Sequence, residues 1–238
     1  MNRRARLAST LAALAGVGFA VLFFLSFFIT DPLREATDQE LLAWWSDAGM
    51  LRDTIISMYV MLLAAPLFLI FLTQLCIRLR SAGEDAGSWS GLVFGAGVAF
   101  VALLAVGAFT RGVLAQSIRF SDEPIPGPDT LRYATTLSQA ALGIAAIPFA
   151  AVTIAFASLI IVRTGALARW LGWLGLVVAA GSLVTVILLV GGLAAPLIVL
   201  WVVAASFVIW RTRHAVAGDA VAQQRPVVTL ASAPPASR

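Results

Sequence analysis

Long stretches without a charged residue constrain this chain most strongly. From Trp170 to Trp210, 41 residues pass without an ionisable side chain, whereas about 20 apolar residues are enough for a helix to cross a bilayer. Gly191 and Gly192, near the middle of this stretch, are a turn signal. The stretch therefore predicts two membrane-spanning helices joined by a tight turn.

Four further uncharged stretches raise the predicted number of crossings to six. The fourth crossing has room for a helix of about 45 Å, longer than a hydrocarbon core of about 30 Å, so its polar start near Thr135 is expected to project from the membrane. The predicted crossings are residues 7–30, 54–77, 88–110, 137–162, 170–190 and 193–210. We therefore predict an all-α fold, a polytopic membrane bundle of six transmembrane helices.

Composition agrees with this class and excludes others. Hydrophobic residues make up 61% of the chain and charged residues 12%, whereas about a quarter of the residues in soluble domains are charged. The net charge of +4 does not indicate nucleic-acid binding, because the arginines lie beside apolar stretches. All sixteen basic residues are arginine, which favours a GC-rich bacterium and its cytoplasmic (inner) membrane.

The placement of the arginines predicts the orientation of the chain. With six crossings, eleven of the sixteen arginines fall on the side that holds both termini, and positive residues are retained on the cytoplasmic side. Both termini are therefore predicted to be cytoplasmic. The tail, residues 215–238, is rich in Ala, Pro, Val and Ser and is predicted to be disordered.

The first outer loop contains the spacing of a helix capping box. Thr37 and Glu40 stand three residues apart, directly before a run of apolar residues. We predict a short interfacial helix here, with its apolar side chains resting on the outer leaflet. The next large outer segment, residues 111–132, contains three prolines and is predicted to be an ordered loop or small lid.

Two stripes of small residues at four-residue spacing predict close helix packing. The stripes are Ala12, Gly16 and Ala20 in the first crossing, and Gly91, Gly95 and Ala99 in the third. Packing within the bundle is the expected meaning of both stripes. Association with a second copy of the chain is the alternative.

The segment from Arg163 to Gly175 reads RTGALARWLGWLG. This predicted cytoplasmic hairpin resembles that of uncharacterised six-helix membrane proteins of actinobacteria, grouped as a domain-of-unknown-function family, in which an RTG...RWLGWLG stretch joins the fourth and fifth helices. Those relatives often have proline before the Arg-Trp pair, where this chain has Ala168. The likeness covers roughly the first 214 residues. It implies a six-helix fold and supplies no activity.

The same hairpin supplies the first set of candidate functional residues. Gly165 is expected to end the fourth crossing in a left-handed conformation, and Gly172 to permit close helix approach. Anchoring at the membrane surface is one interpretation of the charged and aromatic residues, and contact with an anionic lipid or an acidic partner is the other. The residues concerned are Arg163, Arg169, Trp170 and Trp173.

No residue pattern predicts an enzyme. None of the predicted crossings contains Asp, Glu, Lys, Arg or His, although ion-coupled transporters commonly require such a residue. The single cysteine, Cys76, and the single histidine, His214, complete no metal, haem or catalytic motif. The sequence therefore predicts neither a cofactor nor a metal.

Two classes of function remain open. The first is a non-enzymatic membrane component that associates with lipids, with another membrane protein or with itself. The alternative is a carrier or channel for an apolar or neutral solute, which would pass through a groove where prolines interrupt the helices. The candidate groove residues are Pro66, Pro148, Thr153 and Ser158.

Overall fold

The computed structural model describes residues 3–29, 36–121, 124–188 and 193–223, and within these ranges the regular structure is entirely helical. The helices are α1 (Arg3–Ile29), α2 (Asp38–Ser46), α3 (Ala48–Arg80), α4 (Glu84–Phe120), α5 (Pro128–Gln139), α6 (Ala146–Thr164), α7 (Arg169–Ile187) and α8 (Ala194–Gln223). A π-helical turn, Ala140–Ala145, joins α5 to α6 without a break.

Six helical segments are long and apolar enough to cross a membrane, with α5 and α6 forming one continuous segment. The predicted all-α architecture with six candidate spans is confirmed. The long helices pack side by side in chain order, and α1 also packs against α8, so they form a closed ring. Buried apolar side chains fill the centre of this ring.

Contacts between helix termini define two ends of the bundle. At one end, Arg78 of α3 donates a hydrogen bond to Ser9 of α1, close to where the chain begins. We call this the arginine end. At the other, Ser57 of α3 donates to the carbonyl of Ser26 on α1. We call this the cap end, because α2 and α5 lie there.

Several helices run beyond the predicted crossings at the cap end. α4 continues to Phe120 and α5 begins at Pro128, so most of segment 111–132, predicted to be a loop or lid, is helical. The 37 residues of α4 span about 55 Å, well over a hydrocarbon core of about 30 Å. Charges mark where a helix leaves the lipid and not where it ends. We give the name cap to α2 and α5 together with the parts of α3 and α4 that extend beyond the predicted crossings, residues 48–53 and 111–120.

α2 begins with the predicted capping box. Thr37 Oγ1 accepts a hydrogen bond from the Glu40 N–H at 3.3 Å, and the Glu40 carboxylate accepts one from the Thr37 N–H at 2.8 Å. The bond from the Thr37 backbone, followed by one from its hydroxyl, lowers the pKa of Glu40 from its ordinary value. The capping box therefore gives the start of α2 a fixed geometry.

The apolar face of α2 packs against protein, whereas the sequence predicted that it would rest on lipid. Leu41 and Trp45 are buried in a cluster with Leu51 of α3, Ala115 of α4 and Leu131 of α5. The extensions of α3, α4 and α5 beyond the predicted crossings provide this protein surface. The cap therefore has an apolar core of its own.

Polar contacts also join the helices of the cap. Arg132 of α5 forms an ion pair with Asp38 at the start of α2, at 2.7 Å. The guanidinium carbon of Arg111 on α4 lies 4.9 Å from the ring centroid of Trp44 on α2, within the range of a cation–π contact. These contacts attach α2 to both neighbouring helices.

The first stripe of small residues packs inside the bundle, as predicted. Ala12, Gly16 and Ala20 are buried. A Cβ at position 16 would collide with Ser206 Oγ of α8 and approach the Phe71 ring of α3 to 2.8 Å. The missing side chain at Gly16 therefore sets how closely these three helices approach one another.

The second stripe of small residues lies on the bundle surface. Gly91 and Gly95 are exposed, and no described atom lies within 4 Å of the place where a Cβ would stand. The prediction that this stripe packs within the bundle is therefore wrong. On α4 a close approach is made instead by Gly97, against Leu72 of α3, because the neighbouring helices decide which face of an apolar helix points inward.

The C-terminal segment differs from the predicted tail at its start. α8 continues to Gln223, so residues 215–223 are helical, although they were predicted to be disordered. Their alanines have high helix propensity and extend the last crossing. Residues 224–238 lie outside the described residues, and so does the predicted turn at Gly191 and Gly192.

Candidate functional site

The hairpin between α6 and α7 positions the four candidate contact residues at the arginine end. Gly165 ends α6 with a φ of 68°, the left-handed conformation predicted for it, and its N–H donates to the carbonyl of Ile161 at 2.9 Å. Leu167 is buried beneath the turn, and α7 begins at Arg169. The hairpin is therefore short and anchored by a buried side chain.

All four candidate side chains of the hairpin point away from the bundle. Arg163 and Arg169 are exposed, and Trp170 and Trp173 are 52% and 61% exposed. Among the described residues, none of the four has a hydrogen-bond or ion-pair partner for its side chain. Two cations and two indole rings are thus presented together at one end of the bundle.

Close packing of α7 on α6 holds this surface in place. A Cβ at Gly172 would stand 2.9 Å from the carbonyl oxygen of Ser158 and 2.6 Å from the side chain of Val162. Since neither distance is tolerated by a real Cβ, Gly172 is what permits the two helices to approach, as predicted.

The four candidate groove residues do not line one groove. Pro66 is exposed on the surface of α3 and Pro148 is half-buried on α6, whereas Thr153 and Ser158 are buried in the core. Thr153 Oγ1 donates to the carbonyl of Phe149 in its own helix, at 2.8 Å. The prolines and the hydroxyl groups therefore belong to different surfaces of the bundle.

A small cavity lies at the centre of the bundle. Its volume is about 10 Å³, which is near the lower limit for a single water molecule. Phe68 and Phe71 of α3, Phe100 of α4 and Trp201 of α8 contribute to its lining. Because the wall is apolar and the volume is so small, this cavity does not accommodate a solute.

Two polar atoms beside this core have no hydrogen-bond partner in the part of the chain that the structure describes. Ser158 Oγ of α6 and Trp201 Nε1 of α8 both lie against Gly175 of α7, and both residues are almost fully buried. Neither atom has a hydrogen-bond partner among the described residues. An unpaired buried polar group costs about 1–3 kcal/mol, so a small ligand that bonded to these two atoms would relieve that cost.

Arg78, which the sequence interpretation did not single out, connects three helices at the arginine end. Its guanidinium donates to Thr212 Oγ1 of α8 at 2.9 Å and to Ser9 Oγ of α1 at 3.0 Å. It stands three residues after Leu75, which is fully buried, so helical spacing places both on the inward face of α3. Because the burial of Leu75 is known only from the fold, no signal in the sequence alone identifies Arg78.

Groups suited to metal binding do not come together in the described part of the chain, where no cluster of three or more His, Cys, Asp or Glu side chains occurs. Cys76 is buried, and its thiol lies 3.6 Å from the carbonyl oxygen of Ser90. Cys76 therefore packs as a small side chain within the core.

Comparison with known proteins gave no match. No protein-family model, no curated protein and no solved structure is similar to this chain at a significant level. The six long apolar helices nevertheless establish its general class. The chain is a multi-pass integral membrane protein.

Proposed function

We propose that this protein is a non-enzymatic membrane component that associates with another membrane protein or with lipid. One contrast carries the proposal. The central cavity has a volume of about 10 Å³, whereas all four Arg and Trp residues of the α6–α7 hairpin are exposed. The hairpin therefore presents recognition groups on the surface of the bundle, whereas this cavity has no room for a ligand.

The hairpin combines two kinds of recognition chemistry. The guanidinium groups of Arg163 and Arg169 suit carboxylate or phosphate oxygens, which accept paired hydrogen bonds from arginine. The indoles of Trp170 and Trp173 suit the headgroup layer or an interface with another helix. An anionic lipid headgroup or the acidic surface of a membrane protein is the partner that this chemistry supports.

We place the arginine end in the cytoplasm, because positive residues favour that side. The absence of lysine among the sixteen basic residues supports a GC-rich bacterium, and with it the cytoplasmic membrane. The resemblance of the hairpin to six-helix proteins of actinobacteria supports the same source. It adds no activity to the proposal.

Native mass spectrometry of the protein released from its own membranes tests the proposal. The Arg163→Gln/Arg169→Gln variant is expected to lose a bound protein or anionic lipid that the wild-type chain retains. The matched control is Arg80→Gln/Arg211→Gln, which removes the same charge from exposed positions at the same end. Identical bound masses in all three proteins would contradict the role proposed for the hairpin.

A carrier for a small neutral solute is the second candidate function, and the unpaired Ser158 Oγ and Trp201 Nε1 are the observation that favours it. A solute with both a donor and an acceptor would satisfy these atoms if α7 moved away from α6 and α8. Flux of glycerol into proteoliposomes distinguishes the two functions. If the protein is a carrier, glycerol flux is higher than in empty vesicles and Ser158→Ala changes it. If the protein is a scaffold, the flux is no higher than in empty vesicles.

A further inference from the structure

Arg78 places a positive charge at the junction of three helices. Besides its bonds to Thr212 and Ser9, its guanidinium donates to the carbonyl of Ile209 on α8 at 3.4 Å. In the ring of helices α1 lies between α3 and α8, so the side chain reaches across the arginine end of the core. We call this site the Arg78 junction.

The charge of Arg78 has no counterion in the described part of the chain. Both ion pairs among the described residues lie in the cap. The acidic residues with described side chains also lie at the cap end, and they are Asp38, Glu40, Asp47, Asp53 and Asp129. The hydroxyl and carbonyl partners of Arg78 are neutral, so they solvate the cation without cancelling its charge.

Part of the guanidinium is available to an external acceptor. Arginine has five N–H donors, and the bonds to Thr212, Ser9 and Ile209 involve only the two terminal nitrogens, Nη1 and Nη2. The Nε–H has no acceptor among the described residues, and Arg78 is only partly buried. Because hydrogen bonds between ionised groups are the strong ones, an anionic oxygen is the favoured additional partner.

The surroundings of the Arg78 junction favour a lipid as the source of that oxygen. Arg211, adjacent to Thr212, is exposed and adds positive charge at the same end. Apolar side chains within two residues of a junction residue are exposed on the same three helices, namely Leu11 on α1, Ile77 on α3 and Phe207 on α8. A molecule with an anionic headgroup and acyl chains matches both features, whereas free phosphate matches only the first.

We propose that the Arg78 junction binds the phosphate of an anionic lipid headgroup from the leaflet at the arginine end. The ligand class is a phospholipid with a net negative headgroup, such as phosphatidylglycerol. This inference rests on the proposed function only for its membrane setting, because the Arg78 junction is separate from the α6–α7 hairpin. The two proposals therefore fail independently.

The first experiment needs no variant. The full chain in a mild detergent is titrated with phosphatidylglycerol, or with phosphatidylcholine that has the same acyl chains, and bound lipid is counted by native mass spectrometry. One phosphatidylglycerol is expected to bind about tenfold more tightly than phosphatidylcholine, a difference of roughly 1.4 kcal/mol. Equal binding of the two lipids overturns the proposal. If inorganic phosphate displaces the lipid and stays bound, the site is assigned to free phosphate. That result overturns the proposal of a lipid ligand.

Arg78→Gln, with Arg80→Gln as its control, then locates the site. Both variants remove one charge from the last turn of α3, but Arg80 is exposed and lies outside the three-helix junction. Arg78→Gln is expected to weaken phosphatidylglycerol binding about tenfold, and Arg80→Gln less than about twofold. Equal losses would mean that only the net charge of this end matters, and would overturn the proposal.

A second substitution covers the case in which Arg78→Gln does not fold. Arg78→Lys keeps the charge and loses the planar guanidinium. The ratio of phosphatidylglycerol affinity to phosphatidylcholine affinity is therefore expected to fall to about a third of its wild-type value. Wild-type affinity in Arg78→Lys overturns the specific role of the guanidinium. The hairpin variant Arg163→Gln/Arg169→Gln is expected to retain this lipid, which separates this test from that of the proposed function.

Discussion

The membrane bundle and the cap are both built from helices around a buried apolar cluster, yet different forces hold them. In the bundle the rings of Phe19 and Phe68 lie 4.8 Å apart, and those of Phe68 and Phe100 lie 5.3 Å apart. Lipid is as apolar as these side chains, so contact and shape stabilise the bundle. In the cap, burial of Leu41 and Trp45 removes apolar surface from water, which contributes about 25 cal/mol per Å².

The polar groups of the two regions differ in a corresponding way. In the cap they join separate helices or fix a helix terminus, as Arg132 and Thr37 do. Inside the bundle the hydroxyl of Thr153 bonds within its own helix, and Ser158 has no partner among the described residues. The bonds that Ser57 and Arg78 make between helices lie near the two ends of the bundle. Side-chain chemistry therefore specifies the cap, whereas close packing specifies the bundle.

The largest expected effect is loss of the cap in Trp45→Ala. Trp45 is fully buried in the cluster, and truncating a buried Trp costs about 3–5 kcal/mol. Hydrogen exchange of the α2 amides is expected to rise steeply while the amides of α7 and α8 stay protected. Trp44→Ala, at the edge of the cluster, is the control and should have a smaller effect. Equal loss of protection in the bundle would show that the two regions are one cooperative unit.

The next effect tests packing in the bundle. Gly172→Ala forces a Cβ against the Ser158 carbonyl, and overpacking of this kind costs about 1–3 kcal/mol. Thermal unfolding in detergent is expected at a lower temperature than in the wild-type chain. Gly91→Ala is the control, because that position is open and alanine has a helix propensity about 1 kcal/mol more favourable than glycine. A lower unfolding temperature in both variants would mean that packing does not distinguish the positions.

A smaller effect is expected from removing the helix cap of α2. Thr37→Ala deletes the hydroxyl that accepts from the Glu40 N–H, and loss of such a cap costs about 1 kcal/mol. Exchange of the first amides of α2 is expected to increase about fivefold. Ser46→Ala is the control, because its hydroxyl bonds only the Leu42 carbonyl at the end of the same helix. An unchanged exchange rate in Thr37→Ala would contradict a stabilising role for the cap.

The smallest expected effect is a pH dependence confined to the cap. The bonds from Thr37 lower the pKa of Glu40 below its ordinary value of 4.5. At a pH between the folded pKa and 4.5, the unfolded cap therefore binds more protons than the folded cap. The contribution is fully present above pH 4.5 and is lost as pH falls through the folded pKa. The indole N–H resonance of Trp45, followed by NMR on acidification, should report this loss.

The control for this titration is Glu40→Gln, which removes the ionisable group. Its Trp45 resonance is expected to change less than that of the wild-type chain over the same acidic range. Trp201, in the bundle core, should keep its resonance position in both proteins. A Trp45 response that is identical in Glu40→Gln and wild type would mean that another group carries the pH dependence.

The candidate site was predictable only where a residue acts locally. Gly165 was identified because a helix ending in a hairpin needs a left-handed residue, and the Arg and Trp residues around it were expected at a membrane surface. Arg78 was missed, because its partners Ser9 and Thr212 are distant in the chain. The predicted groove was not found for a related reason, because the sequence does not show which face of α6 or of α3 points inward.

The sequence by itself determined the number of crossings, the capping box at Thr37 and the turn at Gly165, because each depends on residues within one or two helical turns. Tertiary structure alone decided that α2 packs on protein, that the stripe at Gly16 is buried while the one at Gly91 is exposed, and that Arg78 joins three helices. The physical reason is the apolar character of the helices. A helix that is apolar on every side carries no pattern to mark its inward face, so its neighbours decide that face.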